Sequence, residues 1–121
     1  IIKVNEFKKL KKLINQAKRP VFWFGNGIRL SKSEKLVSKV IKKIPLPFFL
    51  SWAGIDLINS KHHLNFGRPG LYGNRASNLI LQNSDLIIAV GTRLSIPMIG
   101  YVQDEFARKA KIIHVDIDKT E

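Results

Sequence analysis

"DLIIAVG", residues 85–91, is a continuous apolar run with an acid at one end and a glycine at the other. It shows no polar alternation, so it predicts a strand covered on both faces, and it is too short for a core helix. Working outward, "VFWF" (21–24) ends in the same way at Gly25, and "FFLS" (48–51) and "KIIHVDI" (111–117) repeat the pattern. Helical spacing fills the intervals. Phe7, Leu10, Leu13, Ile14 and Ala17 recur after Asn5, a candidate N-cap, until Arg19-Pro20 ends the pattern. After a turn, Ser31 and Glu34 have capping-box spacing, and Leu36, Val37, Val40, Ile41 and Ile44 form the inner stripe of a second helix. A third is expected from about Arg75 to Asn83. Helices alternating with wholly apolar strands give an α/β fold: a parallel sheet with helices on both faces, in three α/β/α layers. About five strands are readable.

The 121 residues, 45% of them hydrophobic, suffice for one core, so a single domain spanning 1–121 is expected. The chain begins at Ile1 and ends in "DIDKTE", where Asp118 and Glu121 have the spacing of another capping box. Both ends therefore read as cut from a longer polypeptide. Cysteine is absent, which excludes thiol catalysis, thiolate metal sites and disulfides. No apolar run approaches the roughly 20 residues that cross a bilayer. The cytoplasm is the expected compartment, with no membrane partner.

The formal charge is +12. Lys8, Lys9, Lys11, Lys12 and Lys18 crowd the first helix, and Lys35, Lys39, Lys42 and Lys43 the second, opposite the apolar stripes. That is the pattern of a solvated face, so no nucleic-acid partner is expected, although a basic nucleic-acid-binding domain is a competing reading. Arg29, Arg68, Arg75 and Arg93 instead fall in or beside glycine-containing loops, where a planar cation can grip a phosphate or stack on a base.

In an open parallel sheet, ligands bind outside the carboxyl ends of the strands. This chain places "GNGIR" (25–29), "SWAG" (51–54), "GLYGNR" (70–75), "GTR" (91–93) and "DID" (116–118) at such positions or before a helix. A flexible loop around Gly67, Gly70 and Gly73 would wrap an anionic ligand that Arg75 or Arg93 neutralises. A mobile connection or a tight packing turn would account for those glycines too. Gly25-Asn26-Gly27 mimics the start of a dinucleotide fingerprint, but Leu30 replaces its third glycine. His114, Asp116 and Asp118 alternate and could face one way on a strand, as a metal or sugar-nucleotide site, as acceptors for ribose hydroxyls, or as a helix cap. His62 and His63 stand in a polar loop and read as solvated. No catalytic constellation stands out.

Taken in order, "RPVFWFGNGIRLS", "PFFLSWAGIDLI", "GRPGLYGNRASNLILQNSDLIIAVGTRLS" and "AKIIHVDIDKTE" resemble the middle domain of the thiamine-diphosphate-dependent acetolactate synthase (acetohydroxyacid synthase) family over nearly the whole chain. "SWAGIDLI" and "GRPGLYGNR" are most similar to acetolactate-synthase-like proteins encoded among surface-polysaccharide functions. The resemblance implies a six-stranded, Rossmann-like central domain between a pyrimidine-binding and a pyrophosphate-binding domain, with the sixth strand beyond Glu121. It also implies a homo-oligomeric parent enzyme in which thiamine diphosphate and Mg2+, held by the other domains, serve the carboligation or decarboxylation of 2-keto acids such as pyruvate. FAD or another adenine nucleotide would lie in this domain without net redox chemistry. Carried over by position, the cofactor-contacting residues would be Gly25, Gly27 and Arg29; Ser51 and Gly54; Gly70, Gly73 and Arg75; Gly91 and Arg93; and Asp116 with Asp118. No catalytic or metal-binding residue is implied here, so the isolated domain should be catalytically silent. Gly70-Leu71-Tyr72-Gly73 stands where the synthases often have Gly-Met-His-Gly, a departure that bears on flavin retention. A stand-alone adenine-nucleotide or NAD-binding module without thiamine chemistry is the alternative.

Overall fold

The four apolar runs become four strands; the first three bury both faces at the centre of a layered structure, whereas the last, 111–115, is an edge strand that stays partly exposed. The computed structural model describes residues 4–118 and 120. The helices are α1 (Val4–Gln16), α2 (Gly27–Leu30), α3 (Glu34–Lys43), α4 (Arg75–Asn83) and α5 (Ile96–Ile99); the strands are β1 (Pro20–Phe24), β2 (Phe48–Leu50), β3 (Leu86–Val90) and β4 (Lys111–Val115). All strands are parallel, in the order β2-β1-β3-β4. β1 and β3 pair over their full lengths, Pro20 with Leu86 through Phe24 with Val90.

Side chains leave successive strand residues on opposite faces, and the core divides accordingly. Phe22, Phe24, Phe48, Leu50, Leu86 and Ile88 pack on one side with Val37 and Ile41 of α3 and with Leu10, Leu13 and Ile14 of α1. Val21, Trp23, Phe49 and Ile87 pack on the other with Leu81 of α4 and with Phe106. Trp23, Phe48, Phe49 and Ile87 have no exposed surface. The three-layer arrangement is as expected, and no helix of the described residues is long and apolar enough to cross a membrane.

Among the described residues the sheet has four strands rather than five to six. The fifth is rudimentary. Residues 64–67 run beside β2: the Phe48 N–H donates to Leu64 O (2.9 Å), Phe66 N–H to Phe48 O (3.0 Å) and Leu50 N–H to Gly67 O (2.9 Å). Only the single parallel bridge Phe48–Asn65 results. Gly67 then leaves the extended conformation at φ 83°, which ends the pairing.

Other local expectations also shift. Asn5 lies inside α1 rather than capping it, and Phe7 is exposed rather than part of the inner stripe, as is Leu36. The turn after β1 contains the short helix α2, so Ser31 closes that helix instead of opening α3. Ser33 precedes α3 and makes no side-chain cap. The Asp118–Glu121 capping box involves Glu121, which lies outside the described residues.

At the amino end of the sheet, Asp85 joins distant segments. Its carboxylate accepts from the backbone N–H of Lys18 (2.7 Å) and Arg19 (2.8 Å), tying the α1–β1 linker to β3. Burial would raise its pKa, but these backbone hydrogen bonds outweigh that and hold it below the ordinary carboxylate value.

The glycine-rich stretch is braced by α4. Asn74 caps the helix by accepting from Ser77 N–H (2.7 Å) and donates to Phe66 O (3.1 Å). The buried Ser77 hydroxyl donates to Arg68 O (2.6 Å). Asn78 grips Gly70 on both sides, accepting from its N–H (2.7 Å) and donating to its carbonyl (3.0 Å). These contacts hold the stretch as a folded turn.

Three outcomes follow from these contacts. Ile87→Ala should cost about 2–5 kcal/mol of unfolding free energy in a denaturant titration, the scale of a large core truncation. Asn78→Ala should cost about 1–3 kcal/mol by stranding both Gly70 groups, with faster amide exchange confined to the loop. Because the folded-state pKa of Asp85 is depressed, its contribution is present above the unfolded value and disappears as pH falls through the folded one. Asp85→Asn should therefore flatten the acid limb of the stability–pH curve, measured by chemical unfolding across the carboxylate range.

Candidate functional site

The carboxyl ends of β1 and β3 meet at the point where the strand order reverses. The Gly25 N–H donates to Val90 O (2.9 Å), Gly27 N–H to Gly91 O (2.8 Å) and Gly91 N–H to Val115 O (2.9 Å). A Cβ on Gly25 would collide with Gly91 O and Thr92, and one on Gly91, at φ 58°, would lie 2.9 Å from Ile28 N. These glycines let one strand-end loop sit directly on the next. The second loop joins them, since a Cβ on Gly54 would lie 3.3 Å from the Gly25 carbonyl carbon. Ser51 is buried beneath it.

The four loop arginines have different surroundings. Arg29 clamps the first loop to the second, donating to Asn26 Oδ1 (3.0 Å), Ala53 O (3.1 Å) and Asp56 Oδ1 (2.6 Å). The hydrogen bond from Arg29 is the main reason the Asp56 carboxyl is held below its ordinary value. Arg68 sits over the Trp52 ring, its guanidinium carbon 4.4 Å from the centroid, and Tyr72 meets Trp52 edge-on at 6.1 Å. Arg75 is exposed at the first position of α4. Arg93 lies close enough to Asp118 for its charge to help lower that carboxyl, after the larger effect of hydrogen bonds from Thr120.

Asp116 and Asp118 lie beyond β4, which ends at Val115, so the alternating acid–histidine face does not continue as strand. His114 Nε2 is 2.6 Å from Thr92 O, a distance that calls for the proton on Nε2. No group of three or more His, Asp or Glu among the described residues is placed to hold a metal ion. His62 is half-buried: its ring packs against Phe48 and stacks on His63, and Nδ1 accepts from Leu64 N–H (3.2 Å).

Beneath the braced loop is an open cavity of about 690 Å³, lined by Ile55, Phe66, Arg68, Tyr72, Gly73 and Asn74 among others. Its size falls in the range of small-molecule sites. Of the twelve expected contact residues, Gly73 lines it. The others are distributed along the rim, from Ser51 after edge strand β2 to Asp116 after edge strand β4. Three inter-strand steps separate those edges, about 14 Å. An elongated ligand could contact both ends; a compact one could not. The Trp52–Arg68–Tyr72 stack and the Asn78 brace did not emerge as a unit from the sequence. Two large aromatics, Trp52 and Tyr72, in glycine-containing loops are the signal that points to the first.

Residues 7–121 match the family described as thiamine pyrophosphate enzyme, central domain. The chain is 38% identical over 109 residues to the acetolactate synthase isozyme 1 large subunit of Escherichia coli K12, covering 90% of this chain and 19% of that one. It is 36% identical over 110 residues to an acetolactate synthase of Mycobacterium leprae, covering 91% of this chain and 17% of that protein. It is 30% identical over 118 residues to the acetolactate synthase large subunit of Cyanidium caldarium, covering 98% and 20%. The chain thus spans about a fifth of the length of the curated relatives it matches. On a parallel sheet whose glycine loops close over one rim, and on a match covering nearly all its length, this chain belongs to the central-domain family of thiamine pyrophosphate enzymes.

Proposed function

We propose that this chain is the central, nucleotide-holding domain of an acetolactate synthase-like enzyme, and that the rim described above receives FAD or another ADP-containing nucleotide. The observation that carries the reading is that Arg68 and Tyr72, both in contact with Trp52, line a cavity of about 690 Å³ beside the loops that follow the strands. Aromatic faces suit a planar ring system, and a guanidinium suits either a ring face or a phosphate. The roughly 14 Å reach of the rim suits a dinucleotide lying along the strand ends. At the β4 end, Asp116 and Asp118 would accept ribose hydroxyls and Arg93 would face a phosphate.

In this reading the domain takes no step in bond making. Thiamine diphosphate, with Mg2+, supplies the chemistry that joins two 2-keto acids such as pyruvate when bound by the other domains of the parent enzyme. This domain's residues hold and orient: Arg29 and Asp56 lock two rim loops, Asn78 fixes the third, and the glycine contacts set their spacing. Self-association of the parent enzyme belongs to the same proposal.

The test is a calorimetric titration of the full-length protein with FAD, ADP and NAD. FAD should bind, ADP more weakly, and Arg93→Ala should weaken FAD binding by about 1.5–3 kcal/mol, the scale of a charge-assisted hydrogen bond. Tight NAD binding by a protein without thiamine-dependent activity would instead identify a stand-alone nucleotide module. No binding of any of the three would remove the nucleotide reading.

A further inference from the structure

We propose that the outer surface of α1 and α3 is a docking face for an acidic protein surface, independent of the nucleotide rim. Its basis is an uneven distribution of charge that the fold concentrates on one layer. Residues 1–43 hold 13 Lys and Arg against two Glu, so they carry +11 of the net +12; residues 44–121 hold eight against seven. Part of this charge lies elsewhere, as with Arg29 on the rim, but eight of the lysines sit on two helices that share one layer. α1 and α3 pack on the same face of the sheet, through Leu10, Leu13 and Ile14 of one and Val37 and Ile41 of the other. Lys8, Lys9, Lys11, Lys12, Lys35, Lys39, Lys42 and Lys43 are all exposed on that layer, where Glu6 and Glu34 are the acids.

Crowding like charges on one side raises the energy of the folded state and creates a positive potential that an acidic surface relieves. The layer also exposes Phe7 (62%) and Leu36 (57%) among the lysines. Large apolar side chains within a charged field suit a protein interface, in which a few buried contacts supply affinity and the charges supply approach and register. The surface fits other polyanions less well. Neither helix carries an arginine, the side chain suited to forked phosphate contacts. The apolar stripes of both helices are already spent against the sheet, so no continuous apolar face remains to enter a bilayer.

The test measures binding of the full-length protein to a fluorescein-labelled peptide of glutamate and leucine, beside a short DNA duplex and phosphatidylserine vesicles. The peptide should bind with strong salt dependence. A Lys8→Gln, Lys12→Gln, Lys39→Gln, Lys43→Gln variant should weaken it about tenfold, as expected for the loss of several exposed charge contacts. A Lys61→Gln, Arg108→Gln, Lys109→Gln, Lys111→Gln variant of equal charge should leave binding nearly unchanged. Circular dichroism confirms that both variants fold. Equal weakening by the two variants would reduce the effect to net charge and overturn the proposal. So would an unaffected peptide, or tighter binding to the duplex or the vesicles.

Discussion

Backbone contact between the ends of β1 and β3 is the constraint on which the rest of the structure depends. Five paired residues bring the two strands level, and Gly25, Gly27 and Gly91 then let the following loops touch without side chains between them. A methyl group at Gly25 would force these loops apart. Their separation would move α2, which carries Arg29, and with it the ion pair to Asp56 that positions the second loop. The rim is therefore a mechanically linked series. Its chemistry is carried by loops, and its geometry by glycines whose first task is packing.

The central layers were legible because the sequence states them locally. A run such as Leu86–Val90 has one stable location, with both faces covered, and α4 runs from Arg75 to Asn83, the bounds its residues suggest, because Asn74 supplies the cap. What escaped reading depends on partners remote in the chain or on competition between overlapping signals. Asp85 meets Lys18 and Arg19 across more than sixty positions. Ser31 has capping spacing to Glu34, yet Gly27–Leu30 coils first and takes Ser31 as its end. The stretch from 55 to 74 has no periodicity to read, and its shape comes from remote partners: Arg29 at Asp56, β2 along 64–67, and Ser77 and Asn78 of α4, which reach back to Arg68 and Gly70. The rudimentary fifth strand belongs to the same class, since one glycine decides where pairing stops.

Candidate site residues divide along the same line. Their location on one rim follows from strand polarity, which the element order fixes. Their individual roles do not, because a guanidinium serves equally as an ion-pair clamp at Arg29, a ring-stacking partner at Arg68 and an exposed cation at Arg75. Which of these a given arginine becomes is decided by neighbours that the fold brings in. Family membership adds the setting: the chain matches a central-domain family, and the acetolactate synthases it resembles are about five times its length.

The two tryptophans occupy opposite environments, one at the solvent-free centre of the sheet and the other at its wet margin beneath a guanidinium. An indole in each place makes this domain its own optical instrument. Emission from the buried Trp23 should stay blue until the layers separate, whereas the exposed Trp52 should emit further to the red and respond when Arg68 is displaced from its ring. Occupancy of the margin and collapse of the interior are therefore separable in a single spectrum, without any added label.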